Sequence, residues 1–199
     1  VTGVQTCALP ICVSLGGNAL LKWLGETGAS AMEVVDRAAT VSAPVDLMIS
    51  GDALGKGFNL VYTWNFLVTL KRKALEKHAL YPGLFDAARV RAASTLRDFD
   101  DAVTAPLHGF AGVADYWSRA SAKPWLSGIG VPTLMINARD DPFLPGAALP
   151  APHEVSASVV LDRPRRGGHA GFVSGRFPGN LDWPPIRILE FFGASAEKL

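Results

Sequence analysis

The spacing of apolar residues predicts one helix close to the start of the sequence. From Gly16 to about Gly28, apolar side chains recur three and four positions apart, at Leu20, Leu21, Trp23 and Leu24. Glycine is the commonest residue just past the end of a helix, so Gly28 marks the predicted end of this one. Ser14 therefore lies directly before a helix.

Three other segments carry runs of apolar residues with little alternation: 38–47, 131–141 and 153–162. Such runs are typical of strands that are buried on both faces of a parallel sheet. Strands of this kind, separated by helical segments, predict an α/β fold with a parallel sheet. A short last helix is predicted from Leu181 onward, with prolines near its start and one face formed by Ile186, Leu189 and Phe192.

The long segment 55–128 differs from the rest of the sequence. It contains no convincing strand, it is rich in aromatic residues and its pattern is mostly helical. A helical insertion of this length predicts a cap or lid over one end of the sheet. The alternative, that the aromatic side chains fill a helical core, is equally consistent with the pattern.

Charge and cysteine content narrow the classes of function. The chain has 199 residues, with 19 Lys and Arg against 18 Asp and Glu, giving a formal net charge of +1. This balance lacks the basic excess of nucleic-acid-binding proteins, so no nucleic-acid partner is expected. No transmembrane helix or signal peptide is recognised. The 2 Cys form neither a metal-binding set nor a disulfide framework, which favours a reducing, cytoplasmic location.

Ser14 is the first candidate for chemistry. It stands in C-V-S-L-G, one residue short of the G-x-S-x-G turn that exposes a nucleophilic serine between a strand and a helix. A serine before a helix is also the commonest N-cap, so this motif alone leaves both interpretations open. A glycine-rich phosphate-binding loop is less favoured, because neither G-x-x-x-x-G-K-[ST] nor G-x-G-x-x-G is present.

A serine nucleophile needs a histidine to take its proton and a carboxylate to orient that histidine. Asp140 and Asp141 follow the strand predicted in 131–141, and His169 follows the strand predicted in 153–162. The aspartates could equally form the turn before Pro142, as Asp-Pro pairs often do. The order Ser, Asp, His is nevertheless the chain order of α/β-hydrolase triads.

Several separate motifs carry a resemblance to a known family: "SLGGNALLKWLGE", "VSAPVDL", "FDDAVTAPLHGF", "DYWSRAS", "VPTLMINARDDPF" and "GGHAGF". From Val13 to about Phe192 the sequence resembles the YheT-like branch of the α/β-hydrolases, kin of the eukaryotic abhydrolase-domain esterases. The resemblance implies a serine carboxylesterase or lipase-like enzyme that acts on small-molecule acyl esters without metal or organic cofactor.

The same resemblance assigns roles to residues. Ser14 would be the nucleophile, His169 the general base and Asp141 the orienting carboxylate, with Asp140 as the neighbouring alternative. The backbone N–H of Leu15 would be one oxyanion donor. The other oxyanion donor is expected from a loop after an earlier strand of the fold. We therefore expect the chain to be the C-terminal part of an incomplete α/β-hydrolase domain. Such a part is expected to fold poorly and to have little activity.

Two other functions use the same residues or the same fold. An alcohol acyltransferase would pass the acyl group from the same triad to an alcohol, and an inactive α/β-hydrolase-fold protein would only bind its ligand. The presence of all three triad candidates favours an enzyme over a binding protein.

Residues 1–12 are interpreted separately from the domain at 13–199, in which 55–128 is the predicted cap. "VTGVQTCALPI" resembles the translation of a sequencing-library adapter, and a glycine codon GGC or GGT whose first base is replaced by T encodes cysteine. We therefore expect Cys12 to stand at the junction in place of glycine. The source reads test this: the bases for residues 1–11 should match an adapter, and a mismatch would refute the hypothesis.

Overall fold

The computed structural model describes residues 8–193. The first part of the segment interpreted as adapter-derived, including Cys7, and residues 194–199 after the last predicted helix lie outside the described residues. The chain forms two compact units, one made of the residues up to Val45 and from Ala122 onward, the other of Asp46–Ser121.

A parallel sheet forms the centre of the first unit. Its four strands are ordered β1 (Ile11–Val13), β2 (Ala38–Val41), β3 (Thr133–Ile136) and β4 (Val159–Asp162). All three pairings are parallel, and Ala38 of β2 lies opposite Thr133 of β3. The predicted α/β class with a parallel sheet is thus confirmed, and β2 and β3 are fully buried, as their unbroken apolar runs indicate.

Each of the three predicted strands is shorter in the structure than the segment 38–47, 131–141 or 153–162 that predicts it. The start of 153–162 belongs to a 3₁₀ turn, Pro152–Glu154, which begins at a proline. Strand β1 was not predicted, because most of it lies in the segment interpreted as adapter-derived. In the structure Cys12 pairs with Thr40, and Ala8 makes a further parallel bridge with Val35.

Helices connect and flank these strands. In chain order they are α1 (Leu15–Thr27), α2 (Leu47–Leu54), α3 (Asn59–Leu80), α4 (Ala87–Ala92), α5 (Leu96–Phe99), α6 (Ala105–Leu107), α7 (Val113–Ala120) and α8 (Trp183–Phe192). A π-helical turn, Asp100–Thr104, joins α5 to α6. The 3₁₀ segments are Gly28–Glu33, Lys123–Gly128, Gly146–Ala148 and Pro152–Glu154. No helix within residues 8–193 has the length and apolar character needed to cross a membrane.

The predicted helix after Ser14 is α1, which packs closely against the 3₁₀ segment Lys123–Gly128. Leu21 and Leu24 of α1 are fully buried in one apolar cluster with Leu126. At Gly25 the two backbones are so close that a Cβ would lie 2.2 Å from the backbone oxygen of Trp125. Glycine at this position therefore permits the helix to approach the neighbouring chain.

The face that the last helix, α8, turns to the core overlaps only in part with the predicted one, sharing Phe192. Ile186 is 37% exposed, whereas Ile188 is buried in a cluster with residues of β2 and β3. Phe191 and Phe192 pack against the same cluster. The face at positions 188, 191 and 192 has helical spacing too, so the sequence pattern alone does not separate the two faces.

The second unit, Asp46–Ser121, is helical throughout its regular elements. Its aromatic residues differ widely in burial: Phe85, Phe99 and Trp117 are buried, while Phe58 and Trp64 are 77% and 69% exposed. The Trp117 indole donates a hydrogen bond of 2.8 Å to Asp100, and burial raises the pKa of that carboxyl above its ordinary value. That residues 55–128 act as a cap over the sheet stays a prediction.

Gly25→Ala should lower the free energy of unfolding by about 1–3 kcal/mol, because the new methyl group would overlap the backbone at Trp125. The measurement is urea unfolding followed by circular dichroism. Gly16→Ala is the matched control in the same helix, since its Cβ would meet nothing nearer than 3.9 Å. The control should be neutral or stabilising by up to about 1 kcal/mol. Equal effects of the two substitutions would contradict this packing.

Candidate active site

Ser14 occupies a sharp turn between β1 and α1. Its φ is 53° and its ψ is −128°, a backbone conformation that is strained for any residue with a side chain. The Ser14 N–H donates a 2.8 Å hydrogen bond to the carbonyl oxygen of Val41, at the end of β2. The turn is therefore anchored to the neighbouring strand, and its strain is held by the surrounding fold.

Close packing at Gly17 explains why the turn is so tight. A Cβ on this glycine would lie 2.8 Å from the Ala43 Cβ and 3.3 Å from the backbone oxygen of Cys12. Glycine thus lets α1 begin directly against the ends of β1 and β2.

The Ser14 hydroxyl does not cap α1, although Ser14 is the residue before that helix. Its Oγ lies instead 2.9 Å from Nε2 of His169, a residue 155 positions away in the sequence. Of the two interpretations that the sequence leaves open for Ser14, the structure thus favours the one that pairs it with a histidine.

Asp141 lies on the opposite side of the same imidazole ring. Its Oδ2 is 2.8 Å from Nδ1 of His169, and its side chain is completely buried. The other oxygen, Oδ1, accepts a 2.9 Å hydrogen bond from the Phe143 N–H. An ionised carboxylate only accepts hydrogen bonds, so we assign the ring proton of His169 to Nδ1, which donates to Asp141. Nε2 then carries no proton and accepts a hydrogen bond from the Ser14 hydroxyl.

The neighbouring Asp140 makes a different contact. Its side chain accepts a 2.9 Å hydrogen bond from the backbone N–H of Gly168, the residue before His169. The two candidate carboxylates are therefore distinguished by geometry: Asp141 contacts the ring, and Asp140 contacts the backbone beside it.

Phe143 is a residue of the site that the sequence analysis did not single out. Its ring centroid lies 4.6 Å from that of His169, with the two planes tilted by 46°. The only sequence signal was its place in "DDPF", directly after the Asp-Pro turn. Packing of this kind restricts rotation of the imidazole, which keeps both ring nitrogens directed at their partners.

Leu15, the predicted oxyanion donor, is the first residue of α1. The N–H groups of a first helical turn have no partners within the helix, and they carry the positive end of the helix dipole. Within residues 8–193 no group of three or more His, Cys, Asp or Glu side chains is arranged to hold a metal ion.

Sequence comparison finds relatives that are longer than this chain. "Putative esterase YheT" of Escherichia coli (strain K12) is 38% identical over 177 residues, which are 88% of this chain and 52% of that protein. "Phospholipase ABHD3" of Homo sapiens is 32% identical over 93% of this chain and 45% of its own length. "Monoacylglycerol lipase ABHD2" of Mus musculus is 29% identical over 96% and 48%. The chain thus spans about half the length of the curated relatives it matches, and no protein-family model matches it.

Two solved structures are similar at low sequence identity. The monoacylglycerol lipase of Paleococcus ferrophilus gives a TM-score of 0.49 at 13% identity, covering 96% of this chain and 70% of that one. The α/β hydrolase MGS-M2, from a Medee basin deep-sea metagenome library, gives 0.49 at 16% identity, covering 97% and 67%.

Three features define a protein of the α/β-hydrolase class. They are the parallel sheet, the serine at a strand-to-helix turn, and the carboxylate and histidine that follow later strands. Its similarity to the YheT and ABHD proteins is specific within that class. The chain belongs to the YheT-like branch of the α/β-hydrolases, as its motifs predict.

Ser14→Gly should raise the free energy of unfolding by about 1 kcal/mol, because glycine adopts a positive φ without the strain that serine bears there. Urea unfolding of the purified protein measures the change. Ser14→Ala is the control, since it removes the same hydroxyl but retains a Cβ, and it should give no gain. A Ser14→Gly variant no more stable than Ser14→Ala would show that the turn is unstrained.

Proposed function

We propose that this protein hydrolyses acyl esters through a triad of Ser14, His169 and Asp141. The observation that carries the proposal is the continuous chain of two hydrogen bonds, 2.9 Å from Ser14 Oγ to His169 Nε2 and 2.8 Å from His169 Nδ1 to Asp141. This arrangement supplies what an alcohol side chain needs near neutral pH: a base within reach, held in the productive tautomer.

The proposed reaction has two steps. Ser14 Oγ attacks the ester carbonyl carbon while its proton passes to Nε2 of His169, and the Leu15 N–H donates to the developing oxyanion. The tetrahedral intermediate then expels the alcohol, which takes the proton from His169. Water, deprotonated by the same nitrogen, attacks the acyl-enzyme and releases the carboxylic acid and the free Ser14 hydroxyl.

Asp141 has a supporting part in both steps. When His169 holds the transferred proton the ring is a cation, and the buried carboxylate 2.8 Å away stabilises it. The carboxylate is itself held by the Phe143 N–H, so it need not reorient during the reaction. The scheme requires no metal ion or organic cofactor.

The names of the relatives support lipid-like acyl esters as the substrate class. The matched proteins are named as a putative esterase, a phospholipase and a monoacylglycerol lipase, and the carboxylic ester is the bond that the proposed triad is suited to break. We propose water as the acyl acceptor. Transfer to an alcohol would use the same residues, and product analysis with added alcohol separates the two reactions.

Ser14→Ala should reduce turnover of p-nitrophenyl esters by at least about 10³-fold, because it removes the nucleophile and leaves the rest of the site in place. The assay uses acyl chains of several lengths and the longest reading frame at the source locus that contains these residues. Ser127→Ala, at an exposed serine outside the site, is the matched control and should keep full activity. Unchanged turnover in Ser14→Ala would refute the proposal.

A further inference from the structure

Two adjacent carboxylates hold the segment that carries His169, each at a different point. Asp141 Oδ2 lies 2.8 Å from the ring nitrogen Nδ1, and Asp140 Oδ1 accepts a 2.9 Å hydrogen bond from the N–H of Gly168. Only the first contact has a part in the reaction proposed above. The second is made by a side chain to which neither the motif nor the mechanism assigns a role.

The segment before His169 needs such a contact because its backbone is unusual. Gly168 has a φ of 59°, in the left-handed region that favours glycine. Two consecutive glycines, Gly167 and Gly168, also have more backbone freedom than any other pair of residues. Without restraint, the backbone conformation of these two glycines would vary, and the orientation of His169 would vary with it.

Packing restrains the segment on one side of Gly168. A Cβ on Gly167 would lie 2.5 Å from the Phe172 ring and 2.8 Å from the Ala138 Cβ, so this glycine is closely enclosed. Phe172 also donates a 2.8 Å hydrogen bond to the Gly167 carbonyl oxygen. By contrast, a Cβ on Gly168 would meet nothing within 4 Å, so packing does not fix this residue.

The hydrogen bond to Asp140 restrains Gly168 instead. It fixes the direction of the Gly168 N–H and hence the plane of the peptide that joins Gly167 to Gly168. This plane fixes the Gly168 Cα, from which the chain continues to His169 between Ser14 and Asp141. A displacement of about 1 Å in a catalytic group can cost about 10²-fold in rate.

The surroundings of Asp140 favour a role for its oxygen as an acceptor over a role for its charge. The side chain is exposed, and it shares a surface depression with Arg165 and Arg166. Water screens a charge in this exposed position.

We propose that Asp140 is a positioning residue: by accepting a hydrogen bond from the Gly168 N–H, it holds the His169 segment so that the imidazole meets Ser14 and Asp141 together. The inference rests on the proposed function, in which His169 is the general base. The adjacent aspartates thus have different tasks, Asp141 orienting the ring and Asp140 the backbone that carries it.

The kinetic test compares two substitutions of Asp140. Asp140→Ala removes the acceptor and should lower kcat for a p-nitrophenyl ester about tenfold, with KM changed less than about twofold. Asp140→Asn retains an oxygen acceptor and should keep kcat within about threefold of the wild type. Asp36→Ala removes an exposed carboxylate elsewhere and should leave both constants unchanged.

Equal losses in Asp140→Ala and Asp140→Asn would overturn the inference, because the charge and not the acceptor would then matter. Full activity in Asp140→Ala would overturn it too. Circular dichroism confirms that the variants compared are folded, and the Asn variant tests the acceptor even where the Ala variant is unstable.

A second readout does not depend on turnover. The Nδ1 proton of a histidine that is hydrogen-bonded to a carboxylate gives a low-field ¹H NMR resonance, which should persist in Asp140→Asn and broaden or vanish in Asp140→Ala. An unchanged resonance in Asp140→Ala would contradict positioning through Gly168. A resonance that responds as expected in a protein without Ser14-dependent turnover would support the positioning role and refute the proposed function.

Discussion

The close approach of α1 to the sheet is the constraint on which the site depends. It is possible because position 17 is glycine: a Cβ there would collide with the Ala43 Cβ, 2.8 Å away, and crowd the backbone oxygen of Cys12. With the helix so near, the chain between β1 and α1 must reverse at a single residue, and Ser14 takes a positive φ to do so. Strain at such a position persists only where the surrounding structure imposes it.

The parallel sheet supplies the second requirement, which is that residues far apart in the sequence meet. Carboxyl ends of parallel strands lie along one edge of a sheet, and ligand and catalytic sites of open α/β folds form there. Ser14 directly follows β1, while Asp141 and His169 lie in the loops after β3 and β4. The His169 ring thus spans a serine and a carboxylate brought by different strands, and the contacts at Phe143 and Gly168 limit its movement.

The sequence predicted α1, the cores of β2 to β4 and the three polar residues that the structure brings together. Local patterns sufficed for these, because buried strands and glycine-flanked turns leave distinct signatures. The inward face of α8 could not be predicted, since two sets of apolar positions have helical spacing and tertiary packing selects Ile188. The residue pattern alone could not separate Asp140 from Asp141, and only the resemblance to the family favoured Asp141. The backbone direction after β3 decides which carboxylate meets the ring.

The central claim is that Ser14 is made nucleophilic by His169. The most direct measurement is mass spectrometry of the Ser14 peptide after reaction with a fluorophosphonate, which forms a covalent adduct with an activated serine. The account predicts stoichiometric labelling at Ser14 in the wild-type protein and labelling slower by at least about 10³-fold in His169→Ala. Labelling at another serine, or labelling of Ser14 at the same rate without His169, would contradict it.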